Sequence, residues 1–538
     1  MDTRRLILLM VMSFGIILLW QNWQGANPQH NAAESAQHSS STVNQNAPIA
    51  GSGLPTGPFE HGQSVIVTTD LFSAKISTVG GDIRGLTLLQ QREPGHSQKP
   101  LKLFETSPIP YVAQSGLLGP QMPTHLQVYT ADVSNVTMQP GQQAVSLILH
   151  YHAADGMVVD KVFTFHRDSY IVNIAYRIVN HSNQAVQATP YFQFLRTDAK
   201  TPNQSAVIHS YTGPVLYTNA SKLKKIDFSS IAKGSHDYPH TSQDGWIAME
   251  QHYFVSAWLP PAGLERRFYT REIESHLFAV GVMLPTVTVA PGQDQKISTD
   301  LFAGPKDERI LAKAAPGLPL TIDYGKLAIF AKPIFWLLSY IHRIVNNWGF
   351  SIIILTLLIK IVFYPLSAKS YRSMAQMRVL GPRLQRIKEQ YGKDKQKLHH
   401  EIMELYKREK VNPLGGCLPV VIQIPVFLSL YWVLISSFEL RGAPFIFWIH
   451  DLSVKDPYYV LPIIMGITMF IQTKINPKPV DPVQEKVMLF MPLAMTIFFM
   501  FFPAGLVLYW LVNNIVSITQ QWYINQSVNR AGSSTGDS

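Results

Sequence analysis

Hydrophobic positions along the chain follow two periods and one polar gap. Residues 1–23 open with an uncharged, mainly apolar run, Leu6–Trp20, behind Arg4 and Arg5. Residues 24–57 are rich in Asn, Gln, Ser, Ala, Gly and Pro and carry one charge, Glu34. Such a segment buries too little surface to fold, so it reads as a flexible linker. Residues 58–320 alternate apolar and polar positions in short runs: "SVIVTT", "FSAKIST", "HLQVYTADV", "AVSLILHYH", "KVFTFH", "YIVNIAYRIV" and "FAVGVMLPTVTV". Turn pairs separate them, among them Gly80-Gly81, Asp155-Gly156 and Pro291-Gly292. Period-two runs between turn signals predict a large antiparallel β-sandwich.

Beyond this domain the period changes to that of a helix. In residues 325–347, Trp336, Leu337, Tyr340, Ile341 and Ile344 recur at helical spacing with Lys332, His342 and Arg343 between them. This predicts an amphipathic helix lying on a membrane surface; a helix packed against the β-domain is the other reading. Five apolar segments follow, at 348–366, 415–438, 458–472, 487–502 and 506–523. Several fall short of the ~20 residues a full span prefers, so tilt or local thinning is expected. Trp20 and Trp23 close the first apolar run as interface markers, and residues 1–23 are expected to stay as a transmembrane anchor. The fold class is therefore a polytopic α-helical membrane protein of six spans with a large β-sandwich domain.

Charge sets the topology. Loop 367–412 holds 12 Lys and Arg against 5 Asp and Glu, and loop 473–486 holds 3 against 2. Loop 439–457 holds 2 against 3, and residues 21–347 hold 24 against 23. The positive-inside rule places 367–412, 473–486, the N-terminus and the tail 524–538 in the cytoplasm, and the β-domain with 439–457 outside. The formal net charge of +10 is then mostly topology and calls for no nucleic acid. One cysteine, Cys417, excludes an internal disulfide and a zinc cluster of the Cys type. Within 367–412, Met374, Met377, Leu384, Ile387 and Tyr391 form one apolar seam, and Leu398, Ile402 and Leu405 another. A helical hairpin fits, with a kink or restart at Pro382.

Candidate chemistry lies in the apolar segments. "GFSIIILTLLIKIVFYP", residues 349–365, is nearly all hydrocarbon apart from Lys360. A lysine near the cytoplasmic end of a span can snorkel, or it can face a wet internal surface. Thr356 stands four residues earlier on the same helical face, which favours the internal surface. Gln423 lies between Pro419 and Pro425, where its amide needs protein or water. Trp510, Asn513 and Ser517 step by three and four along one face of the last segment. The five segments contain no Asp or Glu, which argues against a proton-relay transporter. No phosphate-binding glycine motif or metal-ligand spacing is present, and no cofactor is expected.

Four stretches carry a resemblance: "NWGFSIIILT…YPL", "KVNPLGGCLPVVIQIPVF", "FIFWIHDLSVKDPYYVLPIIMG" and "FMPLAMTIFFMFFPAGLVLYWLVNN". In these the chain resembles the YidC/Oxa/Alb family of membrane protein insertases. The resemblance implies a five-helix insertase core with a hydrophilic groove open to cytoplasm and lipid and closed toward the outside. It implies a periplasmic β-supersandwich similar to sugar-binding folds, and residence in the bacterial inner membrane. The expected partners are nascent membrane proteins, the Sec translocon, the ribosome through cytoplasmic loops, and the bilayer. Substrate-groove roles carry over to Lys360, Thr356, Gln423 and Trp510, and Asn513 and Ser517 join the groove set by sharing a helical face with Trp510, with no enzymatic step. Relatives usually carry arginine where this chain has Lys360, and many end in a basic tail where this one reads "INQSVNRAGSSTGDS". Two other classes stay open: a channel or transporter with an outer capture domain, and an anchored carbohydrate-active enzyme.

Overall fold

The computed structural model describes residues 62–533 apart from 94–95, 200–210, 236, 393, 410, 412–417 and 477–481. The expected anchor 1–23 and linker 24–57 lie outside the described residues. The chain divides into two compact units at Ile322/Asp323.

The first unit holds two β-sheets and two short helices, α1 (Phe228–Ala232) and α2 (Glu308–Ala314). One sheet has eleven strands and the other nine. Pairing is antiparallel along the central strands, as the alternating runs predict; Ile171–Asn180 pairs on one side with Met157–His166 and on the other with Asp294–Pro305. A difference lies at one edge, where Ser64–Thr68 takes Asn135–Thr137 as a parallel neighbour. "HLQVYTADV" also differs: only Thr130–Ala131 forms a strand there, with a single bridge from Val128 to Val79. Its burial serves a crossing loop, because His125 is fixed by Tyr191, whose hydroxyl meets the ring Nδ1 at 2.6 Å and accepts the backbone N–H at 3.0 Å. The glycine at 80 is required there. Its φ is +74°, and a Cβ would collide with the His125 carbonyl.

The two sheets close on Phe192, Phe194 and Trp258, with ring centroids 5.2 and 5.5 Å apart. Aromatic pairs of this kind add to simple area burial. Lys161 is fully buried between the sheets, donating to the carbonyls of Gly80 at 2.8 Å and Ser115 at 3.0 Å. Asp82 is buried near it, with Oδ2 accepting from Gln114 Nε2 at 2.9 Å. Burial pushes the Asp82 carboxyl up to about 6 and the Lys161 ammonium down to about 7.

The second unit is helical. It comprises α3 (Ala328–Val345), α4 (Trp348–Val362), α5 (Tyr364–Val379), α6 (Gly381–Tyr391) and α7 (Lys395–Arg408). These are followed by α8 (Leu418–Ser436), α9 (Val460–Ile475), α10 (Pro482–Phe499) and α11 (Ala504–Ser533). By length and composition α3 alone could cross a membrane among the described residues, and α4 with α5 passes as a pair bent by 69°. α3 buries Ala331, Phe335, Leu338 and Ile341 and exposes Trp336, Tyr340 and Ile344. Pro382 sits in the first turn of α6, so the hairpin restarts there instead of kinking. The α6–α7 seam is Leu380, Leu384, Leu405 and Val411, flanked by Met377, Ile387 and Ile402. Met374 leaves that seam and packs with Tyr371 and Ile524. That contact explains why α11 runs on to Ser533, well past the apolar segment that ends at 523.

Acid stability follows from the buried groups of the first unit. Burial and the nearby Lys161 charge lower His125 from 6.5 to about 4. Between those values the unfolded chain binds a proton that the folded chain refuses, so stability falls as pH drops, by up to about 3 kcal/mol. Asp82 acts in the opposite sense: with its carboxyl raised from 3.8 to about 6, the folded chain gains stability as pH falls through that window. Thermal unfolding between pH 7 and 4.5 is expected to show a shallower acid loss in His125→Gln and a steeper one in Asp82→Asn.

Candidate functional site

The site is built on the facing sides of α4 and α11. α4 begins at Asn347, whose side-chain oxygen accepts the Phe350 N–H at 3.1 Å, an ordinary N-cap. Thirteen residues later Lys360 occupies the last turn and is 8% exposed. Its Nζ donates to Ser517 Oγ on α11 at 2.7 Å. Ser517 in turn donates to the Asn513 carbonyl at 2.7 Å. The Tyr371 hydroxyl on α5 faces Ser517 as well. A serine hydroxyl has one proton and two lone pairs, so it can donate to Asn513 while it accepts from Lys360. Two of the three ammonium protons of Lys360 have no acceptor among the described residues. No carboxylate pairs with it among those residues either.

Polar side chains continue along α11 on the same side. Asn513, Asn514, Ser517 and Gln521 are all buried. Asn514 Nδ2 donates to Thr468 Oγ1 on α9 at 3.3 Å, and Gln521 Nε2 donates to Asn476 Oδ1 at 3.0 Å. Thr356, one turn before Lys360, is 1% exposed and donates to its own helix at the Ile352 carbonyl, 2.7 Å away. Threonine inside a helix commonly satisfies its proton this way, which leaves its lone pairs open.

The expected residues thus divide. Lys360 and Ser517 meet, Asn513 adds its backbone carbonyl as the acceptor of the Ser517 proton, and Thr356 lies one turn away. Trp510 instead joins an aromatic cluster, edge-on to Phe427 at 4.8 Å and tilted on Phe499 at 5.3 Å. Its indole N–H is buried with no hydrogen-bond partner among the described residues. Gln423 is half-buried on α8 and makes no hydrogen bond to a described residue. Tyr371, Asn514 and Gln521 do not stand out in the sequence reading. The heptad spacing of Asn514 and Gln521 is a signal for the last two; Tyr371 carries none, because a bend separates it from α4.

Comparison with known proteins agrees over both units. Residues 340–531 match the family described as 60Kd inner membrane protein, and residues 64–337 match the YidC periplasmic domain family. The membrane protein insertase YidC of Methylobacillus flagellatus is 48% identical over 99% of this chain and 98% of its own length. That of Laribacter hongkongensis is 48% identical over 98% of both chains. A crystal structure of an active YidC insertase with its first transmembrane domain resolved is 16% identical, with a TM-score of 0.43, over 88% of this chain and 95% of that one.

A buried cation whose one protein partner among the described residues is a neutral hydroxyl costs stability. Lys360→Met, with similar length and no charge, is expected to leave the thermal unfolding midpoint unchanged or to raise it, because no ion pair among the described residues is lost. A midpoint several degrees lower would mean that the ammonium makes net stabilising contacts.

Proposed function

This chain belongs to the YidC family of membrane protein insertases, and on that premise we propose that it moves nascent membrane proteins into the bacterial inner membrane along a hydrophilic groove centred on Lys360. Helices α4, α8, α9, α10 and α11 are the five core spans, and residues 1–23 are the sixth. The β-domain lies in the periplasm, and the α6–α7 hairpin lies in the cytoplasm with both termini. α3 lies at the outer interface, with Trp336 and Tyr340 toward the headgroups, as amphipathic rings prefer.

The observation that carries this reading is the bonding of Lys360. A charge within a span costs up to about 2.5–3.5 kcal/mol on insertion scales, the figure for the helix centre, and less toward the end where Lys360 lies. With two ammonium protons unclaimed by described residues, the charge is tolerable only beside water or beside a polar guest. A hydrated groove supplies the first, and the hydrophilic flank of an inserting segment supplies the second. Acidic residues in that flank would be drawn toward Lys360 across a low-dielectric wall, where attraction is far stronger than in bulk water. Thr356, Asn513 and Gln423 line the same path with hydrogen-bonding groups, and Trp510 forms part of its apolar wall.

Helix length supports a second element of the mechanism. α4 has 15 residues and α9 has 16, or about 22–24 Å at 1.5 Å per residue. The hydrocarbon core is about 30 Å thick. Short helices thin the bilayer around them, which shortens the distance a polar flank must travel. The apolar part of the substrate then partitions sideways into lipid, and its transfer free energy drives the step. The process is facilitation, with no bond made or broken. Ribosome contact through the hairpin and cooperation with the Sec translocon are part of the same reading.

Photo-crosslinking residues at Thr356 and Trp510 are expected to trap ribosome-stalled nascent membrane proteins. Adducts with lipid alone, while insertion proceeds, would refute the groove.

A further inference from the structure

Three helices of the core begin at one loop. Residues 437–459 connect α8 to α9, and the loop is bonded to the first turns of α4, α9 and α11. At α4, Asn347 Nδ2 donates to the Phe445 carbonyl at 3.2 Å, and a Cβ on Gly349 would collide with the Phe445 ring. At α11, the N–H groups of Ala504 and Gly505 donate to the carbonyls of Val454 at 2.7 Å and Leu452 at 3.0 Å. At α9 the link is a side chain, Asp456.

Asp456 is 1% exposed. Its Oδ1 accepts the Trp448 indole N–H at 3.0 Å and the Tyr458 N–H at 3.0 Å. Its Oδ2 accepts the Leu461 N–H at 2.8 Å, in the first turn of α9. Every partner is a donor. Only an acceptor-only group satisfies all three, and a carboxylate is that group. The start of a helix also favours negative charge. The turn it holds is strained: Tyr459 has φ +57°, a left-handed conformation that a bulky residue adopts only when its surroundings enforce it. Nothing in the groove chemistry uses this carboxylate.

We infer that Asp456 is the positioning residue that keeps the outer end of the groove shut, by pinning loop 437–459 as a floor across the starts of α4, α9 and α11. The inference rests on the insertase reading, since it assumes a groove to close. It assigns the seal to one carboxylate. Asp456→Asn keeps size and shape, yet turns an NH₂ toward a donor, so it opens the floor as Asp456→Ala does.

The test reads access from each side of the membrane. Cys417, the single cysteine, is replaced by alanine and Ser351→Cys is introduced. Ser351 is fully buried one turn into α4, directly behind the floor. A membrane-impermeant maleimide is applied from outside to spheroplasts and from inside to inverted vesicles. With Asp456 intact, labelling from outside is expected to be negligible. Asp456→Asn and Asp456→Ala are each expected to raise the outside rate about tenfold or more, the change that one lost charge-assisted hydrogen bond makes in a local opening equilibrium, and to leave the inside rate unchanged. An outside rate that stays at the Asp456 level in both variants overturns the inference. So does an equal rise at a control cysteine placed at Val433, buried within α8, since that reports general unfolding. Failure of nascent-chain crosslinks at Thr356 would instead refute the insertase groove, and is scored separately.

Discussion

The hydrogen bond from Lys360 to Ser517 joins residues 157 positions apart, and the helical unit is organised around it. It joins α4 to α11 and holds a buried cation against the polar side of α11. A cation needs acceptors, and the polar face of α11 provides some of them: the Ser517 hydroxyl, braced by the Asn513 carbonyl and by Tyr371. What the protein does not provide is a counter-ion among the described residues. An internal carboxylate would neutralise Lys360 and leave nothing to attract a guest. Its absence from the five apolar segments, plain in the sequence, keeps the charge available.

The two ends of the helical unit use different chemistry. At one end, loop 437–459 is tied by backbone bonds and by the Asp456 carboxylate, whose three partners are all donors. At the other end, α5 turns away from α4 by 69° and meets α11 through Tyr371, Met374 and Ile524. A hydrogen-bonded loop resists opening, and side-chain packing at a bend yields more readily. The β-unit shows the same economy in its own core, where Lys161 is satisfied by two carbonyls.

Much of this architecture is legible in the residue pattern alone. Most of the alternating runs mark strands, and each of the five apolar segments falls largely on a helix, the first of them broken at Phe363 where α5 turns away. The Thr356–Lys360 spacing and the Asn513–Ser517 spacing predict two polar faces, and Lys360 and Ser517 do meet. What the pattern does not reveal has physical reasons. The length of α11 depends on Ile524 and Val528 packing against α5, a tertiary contact hidden in a polar stretch. "HLQVYTADV" alternates like a strand, yet a histidine anchored to Tyr191 holds most of it as a loop. The parallel edge pair follows from which chain segments meet, and pattern alone does not encode that. Trp510 shares a helical face with Ser517, but seven residues carry it about 10 Å along the axis, to a different set of neighbours.

The central claim is that the charge at position 360, and not the shape of its side chain, carries the function. Arginine keeps the charge and changes the geometry; glutamine keeps hydrogen bonding and loses the charge. The decisive measurement is insertion of a substrate with an acidic translocated flank into membranes holding equal amounts of Lys360, Lys360→Arg or Lys360→Gln protein. The account predicts near-normal insertion with arginine and a loss of about tenfold or more with glutamine, the scale of ~1.4 kcal/mol in the barrier. Equal insertion by all three, or equal loss in both variants, would contradict it.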